Sequence, residues 1–578
     1  MKGWLKITIL VAGIALIVGV FYYTMFSSII EGPPPISRNS YLELDIFGAV
    51  PDRESINPLE KIMVGEAPSM SGLISCIRKA KIDPKIKGIV LRPMGTTMGW
   101  AKIEELRDVL TDFKTSGKPV YAYLEVVGNR EYYLALVADT IFGSPTASMF
   151  INGLMGRGYF IKDMLNKVGI EADFLAHGKY KNAPDMFTRS DMSPAQREVV
   201  NALLDDIYQR YLTAIVESRQ LDMATVKSLI DRGLFSVEEA VQHQLVDTLM
   251  YYNEFKDHLG KKTKHRPRLV NYSRYKKVRF SSLGVKPKGV VAVIYGSGNI
   301  VSGIGDDFPE DGVMTSEAMA NAIRKAAKDK SVKAIVLRID SPGGSGTASD
   351  IIWREVVEAK KKKPVVVSMS DVAASGGYYI SMGADSIVAE PSSLVGSIGV
   401  FAGKFAFGKL FQKWGINKEE IIRGKNANLF SEKSKFTPEQ KKILRHYIDE
   451  FYRIFVTKAA QGRHKTYQEI DRIARGRVWT GRQGVEIGLV DRLGGLLDAV
   501  QIAKKMAGIP LENPVHLKVF PRRRSFLQKL LSSNMQTRTF QRIFHRMVPE
   551  PVWQYLKGTL FYRDYEPLYL LPFYLEIR

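Results

Sequence analysis

Residues 77–92, IRKAKIDPKIKGIVLR, align without a gap to IRKAAKDKSVKAIVLR at 323–338, with ten of sixteen positions identical. The same offset of 246 carries Tyr132-Tyr133 onto Tyr378-Tyr379, Ala138-Asp139 onto Ala384-Asp385, Pro145 onto Pro391 and Gly178-Lys179 onto Gly424-Lys425. After a two-residue slip, Pro194 falls on Pro438 and Leu245-Val246-Asp247 on Leu489-Val490-Asp491. Self-similarity over this length means one domain used twice. The copies are read as 39–255 and 289–510, joined by a basic linker at 256–288 and followed by a basic, aromatic-rich extension at 511–578. Inside each copy, apolar runs such as VVAVIYG (290–296), AIVLRID (334–340) and VVVSMS (365–370) alternate with helical stretches such as TASDIIWREVVEAKKKK. Short β-rich runs that read as buried strands, separated by helices, predict an α/β fold with a largely parallel sheet.

Ahead of the first copy, ITILVAGIALIVGVFYYTMF (7–26) has no charge in twenty positions and follows Lys2 and Lys6. That length spans a bilayer core as a helix, and aromatics stand where the interface would fall. Residues 1–30 are therefore expected to be a signal anchor, with the Pro-rich 31–38 as a stiff spacer and the rest of the chain on the far side of the membrane. Lysine plus arginine number 83 against 60 acids, a formal charge of +23, which favours phosphate-rich partners. For an anchored chain, anionic head groups explain that excess more economically than nucleic acid, and no nucleic-acid-binding motif is present. The single cysteine, Cys76, excludes an intramolecular disulfide framework and a multi-cysteine zinc site.

Two glycine-containing loops of the second copy follow strands and open helices: IDSPGGSGTASD (339–350) and SDVAASGGYYISMGAD (370–385). A serine at Ser375, ahead of Gly376-Gly377, would have free backbone N–H groups beside it that can hold the oxyanion of an acyl-transfer intermediate. A nucleophilic serine needs a base. None of the eight histidines lies in these loops, so a Ser-His-Asp triad is unsupported, although a histidine distant in sequence stays open as a base. The alternative is a lysine whose pKa burial lowers. Comparing the copies addresses this. Ser375 corresponds to Asn129, Gly376-Gly377 to Arg130-Glu131, and SPGG (341–344) to Gly95-Thr96-Thr97-Met98. Lys181, in GKYKNAP, corresponds to Ala427 in GKNANLF, whereas its neighbour Lys179 matches Lys425 and reads as part of the shared fold. Each copy has lost what the other keeps, which points to one composite site per pair.

The anchor, GKYKNAP around Lys181, SPGGS at 341–345, AASGGYY around Ser375 and PSSLVGSIGVF at 391–401 together resemble the bacterial signal peptide peptidase A family, also called protease IV, in its long two-copy form. The resemblance covers nearly the whole chain up to about residue 510. It implies a tandem Clp protease/crotonase-like fold, Ser375 as nucleophile, Lys181 as general base, Gly343 and Gly376 as oxyanion donors, and Ser397 as the serine that orients the lysine. It further implies a homotetramer on the outer face of the bacterial inner membrane that degrades signal peptides left after export. No cofactor or metal is expected, since Walker A, HExxH and paired CxxC motifs are absent. Two rivals are an acyl-CoA enzyme on the related fold, which would need catalytic carboxylates, and a non-catalytic scaffold, which would have no use for the AASGG and SPGG loops. The sequence offers no assignment for the tail beyond 515 except docking on a membrane surface.

Overall fold

A computed structural model of the chain describes residues 36–54, 67–263, 268–303, 312–520, 567–571 and 576–577, with Gly13 and Gly19 isolated. The expected anchor and most of the spacer lie outside the described residues. Among those described, no helix is long and apolar enough to cross a membrane.

The first copy contributes β1 (Ser40–Gly48), β2 (Ile86–Thr96), β3 (Val120–Gly128), β4 (Thr140–Phe150), β5 (Gly156–Arg157), β6 (Glu171–His177), β7 (Leu234–Ser236) and β8 (Thr248–Leu249). β9 (Arg268–Asn271) lies in the linker. The second copy contributes β10 (Val290–Ser297), β11 (Asn299–Val301), β12 (Val313–Thr315), β13 (Val332–Ser341), β14 (Gly343–Ser345) and β15 (Val365–Ala374). It continues with β16 (Ser386–Ala389), β17 (Leu394–Gly396), β18 (Val400–Ala406), β19 (Val478–Thr480) and β20 (Arg492–Leu493). β21 (His516–Phe520), β22 (Leu568–Leu570) and β23 (Glu576–Ile577) belong to the extension.

The two main sheets are the same sheet twice. One runs β7-β4-β3-β2-β1-β9 with β8 on β4; the other runs β19-β17-β15-β13-β10-β21 with β16 on β15 and β20 on β16. Neighbours pair in parallel except β7 and β19, as helical crossovers such as Trp100–Lys114 and Gly346–Lys360 require. Central strands are covered on both faces: Ile89, Val90 and Leu91, like Ile335, Val336 and Leu337, are fully buried in succession. This is why they read as unbroken apolar runs.

The residues that betrayed the repeat hold this fold. Asp139 accepts from the Val120 N–H at 2.8 Å, and Asp385 accepts from the Val365 N–H at 2.8 Å. Tyr132 and Tyr378 each donate from the buried phenol, at 3.0 Å, to the carbonyls of Leu245 and Leu489. Asp247 and Asp491 accept from the Ile141 and Ile387 N–H groups and pair with Arg219 and Arg463. Buried polar groups must be satisfied, so both copies keep the same solutions.

The basic linker is built into the first copy. Helix Tyr252–Thr263 runs into it, β9 extends the sheet beside β1, and the fully buried Tyr275 donates to Asp83 at 3.1 Å. The start of the extension does the same for the second copy through β21 beside β10.

The copies meet across a buried ionic cluster. Arg338 on β13, 1% exposed, donates to Asp52 at 2.8 Å and to Glu105, both from the first copy, and to Ser368 and Ser370 at 2.9 and 3.0 Å. Lys102 of the first copy reaches Asp340 at 2.7 Å and Asp371 at 3.4 Å in the second. Burial works against the charge on Asp52, but Arg338 and Lys102 outweigh it and hold the carboxyl down at about 2. Removing one partner of such a cluster strands the others in low dielectric. Arg338→Met is therefore expected to lower the urea unfolding free energy by about 3–5 kcal/mol; a change under about 1 kcal/mol would show that the cluster does not hold the copies together.

Candidate active site

A third sheet, ordered β12-β11-β14-β22-β18-β6, joins the two copies. β6 leaves the first copy and pairs antiparallel with β18 over seven residues, from Val400↔His177 to Ala406↔Glu171. The chain then turns at Gly178, and the Tyr180 N–H donates to the Arg475 carbonyl at 2.8 Å, which delivers Lys181 into the second copy. Room for it is made by glycine: a Cβ on Gly476 (φ +84°) would lie 2.4 Å from the Lys181 nitrogen, and one on Gly399 3.0 Å from its Cδ.

Ser375 stands between β15 and helix Gly376–Ser381 with φ 55° and ψ −111°, a conformation that non-glycine residues adopt only when their surroundings enforce it. The Ser375 N–H is tied to the Gly396 carbonyl at 2.7 Å, and the Ser375 carbonyl accepts from Tyr379 N–H at 2.8 Å. Lys181 Nζ lies 2.7 Å from Ser375 Oγ. It also meets Ser397 Oγ at 3.0 Å, the Ser397 carbonyl at 3.2 Å, and the carbonyl of Leu570 on β22. Ser375 and Ser397 are fully buried and Lys181 is 3% exposed.

A neutral amine has two N–H bonds and one lone pair. Donation to Ser397 and to the Leu570 carbonyl uses the first two, and the lone pair remains for the Ser375 hydroxyl. Burial alone pushes the Lys181 pKa well below its ordinary value. Among the described residues no carboxylate lies within ion-pair distance to restore the charge. Among the described residues, Ser375 Oγ takes its side-chain partner from this lysine and not from a histidine; His177, just ahead of Lys181 in sequence, instead meets Asp449 at 2.6 Å and stacks on Tyr452 at 3.8 Å.

The two glycines singled out in sequence also converge. A Cβ on Gly343 (φ +107°) would lie 2.7 Å from the Gly376 nitrogen, so the SPGG and SGG loops are in contact. The Gly343 N–H, however, donates to Ser341 Oγ at 3.2 Å, and Ser341 in turn donates to the Gly298 carbonyl at 2.7 Å. Ser341 was visible in the SPGG motif but had no assigned part. Lys179, read as shared fold, is exposed beside Tyr180 and Glu198. The contribution of β22 could not be read from the sequence at all.

A buried serine whose hydroxyl faces a desolvated lysine, beside a glycine loop with a backbone N–H, is the equipment of a hydrolase that works through an acyl-enzyme. The sequence profile of peptidase family S49 matches residues 112–266 and 358–510, once in each copy. The chain belongs to this family of serine peptidases. It is 35% identical over 503 residues to the chloroplastic serine protease SPPA of Arabidopsis thaliana, covering 86% of this chain and 73% of that protein. It is 34% identical over 494 residues to Protease 4 of Salmonella typhi, with 83% and 77% covered. A putative signal peptide peptidase SppA of Enterococcus faecium matches at 35% identity over 32% of this chain and 54% of its own length.

The lysine reading has a thermodynamic signature. Unfolded lysine titrates near ~10.4, so between the lowered folded pKa and that value the unfolded chain binds the extra proton and stability rises with pH, by about 1.4 kcal/mol per unit. Lys181→Met removes this term. The variant is expected to be more stable than wild type at neutral pH, with an advantage that shrinks as pH rises; a pH-independent difference in urea midpoints would show that Lys181 is not buried neutral.

Proposed function

We propose that the protein is a Ser-Lys dyad endopeptidase, anchored by residues 7–26, that degrades signal peptides remaining in the membrane after export. The observation that carries this reading is the 2.7 Å approach of Lys181 Nζ to Ser375 Oγ in a site with no compensating charge among the described residues. Neutral Lys181 takes the hydroxyl proton as Ser375 Oγ attacks the peptide carbonyl. The oxyanion then falls to the Gly376 N–H at the start of its helix and to the Gly343 N–H, which turns from, or is shared with, Ser341. Ser397 restricts the amine so that its lone pair faces the serine. The ammonium gives its proton to the departing amine, and the same lysine activates the water that releases the acyl-enzyme. Every step uses side chains and backbone groups of this chain.

The wider setting belongs to the same proposal. Each copy is taken as a Clp protease/crotonase-like domain, and the assembly as a homotetramer at the outer face of the bacterial inner membrane, with no nucleic-acid partner. The relative named as a signal peptide peptidase supports the substrate class. So does the apolar surrounding of β22: Leu568 and Leu570 are buried with Phe401 and Ala183, as a hydrophobic peptide would be.

Ser375→Ala and Lys181→Met are each expected to lower cleavage of an apolar signal peptide by about 10³-fold or more, whereas Ser397→Ala costs less, on the order of 10-fold. The pH profile of wild type should climb to a plateau well below the ordinary lysine pKa. A fluorophosphonate should label Ser375. Absence of labelling and cleavage, both in the full chain and in one lacking residues 567–578, would leave the non-catalytic scaffold as the better reading.

A further inference from the structure

Two lysines of the first copy are buried against the second, and their surroundings treat them oppositely. Lys181 meets no carboxylate among the described residues and sheds its proton, whereas Lys102 meets three. Lys102 Nζ lies 2.7 Å from Asp340 Oδ2, 3.4 Å from Asp371 Oδ2 and 3.6 Å from Asp52 Oδ2. Burial opposes its charge, but Asp340, Asp52 and Asp371 outweigh burial and hold its pKa above the ordinary lysine value. The offset of 246 places Lys102 on Ala348 and Asp340 on Met94, so neither copy keeps this pair by itself. Ser375 and Lys181 are divided between the copies in the same way.

Asp340 and Asp371 stand where the two loops of the site leave their strands. Asp340 directly precedes SPGG on β13, and Asp371 lies four residues ahead of Ser375 on β15. Asp340 Oδ1 also accepts from the Val372 N–H at 3.2 Å, which ties β13 to β15 at this point. The Asp371 carboxylate accepts from the Gly99 N–H at 3.2 Å and the Lys102 N–H at 3.0 Å, at the start of helix Trp100–Lys114. That helix has no side-chain cap of its own, and a Cβ on Gly99 would lie 2.2 Å from the Asp371 carboxyl. An acid of the second copy therefore caps a helix of the first.

From Asp340 the hydrogen bonds run on to the oxyanion loop. Its carbonyl accepts from the Gly298 N–H at 2.8 Å, and the Gly298 carbonyl accepts from Ser341 Oγ at 2.7 Å. Ser341 Oγ in turn accepts from the Gly343 N–H at 3.2 Å. Ser341 also pairs with Ala373 of β15, and a Cβ on Gly377 would lie 2.6 Å from the Ser341 carbonyl. Both loops are thus built on a base that Lys102 grips from the other copy. We propose that Lys102 is a positioning residue for the oxyanion site: by clamping Asp340 and Asp371 it sets where the Gly343 and Gly376 N–H groups stand relative to Ser375 Oγ. This rests on the peptidase reading above.

The test measures kcat, KM and the Ki of an apolar peptide aldehyde for the full-length wild type, Lys102→Met, Lys102→Arg and Asp371→Asn. Rates are expressed per folded molecule, from urea curves and near-UV circular dichroism. Ser375 Oγ adds to the aldehyde carbon, its proton passes to Lys181, and the former carbonyl oxygen becomes an oxyanion that needs the same donors as the transition state. Lys102→Met should lower kcat by about 10²-fold and weaken the aldehyde by a like factor, with KM within about twofold of wild type. The pH at which activity reaches its plateau should not move, because Lys181 arrives on another strand. Asp371→Asn should lower kcat by about 10-fold, and Lys102→Arg, which keeps the charge, should recover most of the wild-type value. Should Lys102→Met not fold, Asp371→Asn decides by the same readouts. Unchanged kcat per folded molecule, or aldehyde affinity that holds while kcat falls, would overturn the proposal and leave Lys102 as a tie between the copies. A shifted pH plateau would place its effect on Lys181 and overturn it as well. Wild type that neither cleaves peptide nor takes up a fluorophosphonate would strike the peptidase reading itself, and this proposal with it.

Discussion

An amine taken out of water, with no carboxylate among the described residues to pair with, is the constraint around which the molecule is arranged. An ammonium in such a place is costly, so the group sheds its proton and becomes a base. That outcome requires walls on every side, and they come from both copies and the extension: the 178–181 turn follows β6, Gly399, Gly476, Ser375 and Ser397 close in from the second copy, and the Leu570 carbonyl comes from β22. One domain carrying serine and lysine together would have to surround the lysine by itself. Duplication lets the first copy project a strand and a turn into its neighbour, and the 7-residue ladder between β6 and β18 fixes where the turn arrives.

The positioning of the two serines is enforced and not merely permitted. Ser375 and Ser397 both have positive φ, 55° and 52°, where an L side chain is strained. Each N–H is captured by a carbonyl, Ser375 by Gly396 and Ser397 by Arg477, both at 2.7 Å. The strained residues thus sit in a chain of backbone bonds linking β15, β17 and the 475–477 turn. Such strain persists when surrounding structure over-determines it, and here the ionic cluster at Arg338 lies on the adjoining strands β13 and β15. Pairing between the copies and the poise of the site are one problem in packing.

Much of this was legible in the sequence because it is local or repeated. The offset of 246 revealed two equivalent domains, and the structure repeats even the carboxylate contacts of Asp139 and Asp385. Complementary loss, serine against Asn129 and lysine against Ala427, singled out the pair of residues that the fold brings together. What stayed hidden is non-local pairing. Nothing periodic in EADFLAH says that it will pair with β18 of the other copy, and a three-residue strand such as β22 is too short to leave a pattern. In the linker, lysines and arginines dominate the composition and drew attention to its charge. Tyr275, buried beside Asp83, and β9 were the overlooked apolar half of that segment. The commitment of the Gly343 N–H to Ser341 depends on a side-chain rotamer, which no motif specifies.

The fate of the two clefts follows from what each lost. In the second, glycines leave the backbone open and place N–H groups against a bound strand. In the first, Arg130 and Trp100 fill the corresponding positions, Asn129 is engaged with Asn152 and Gly153, and catalysis has no nucleophile. Yet the edge that accepts a strand remains, because β5 keeps the place of β18. Losing the serine removes the nucleophile and leaves that edge in place. A guanidinium is a strong donor to a carbonyl, and Arg130 holds that of Ile577 where the second copy has Gly376.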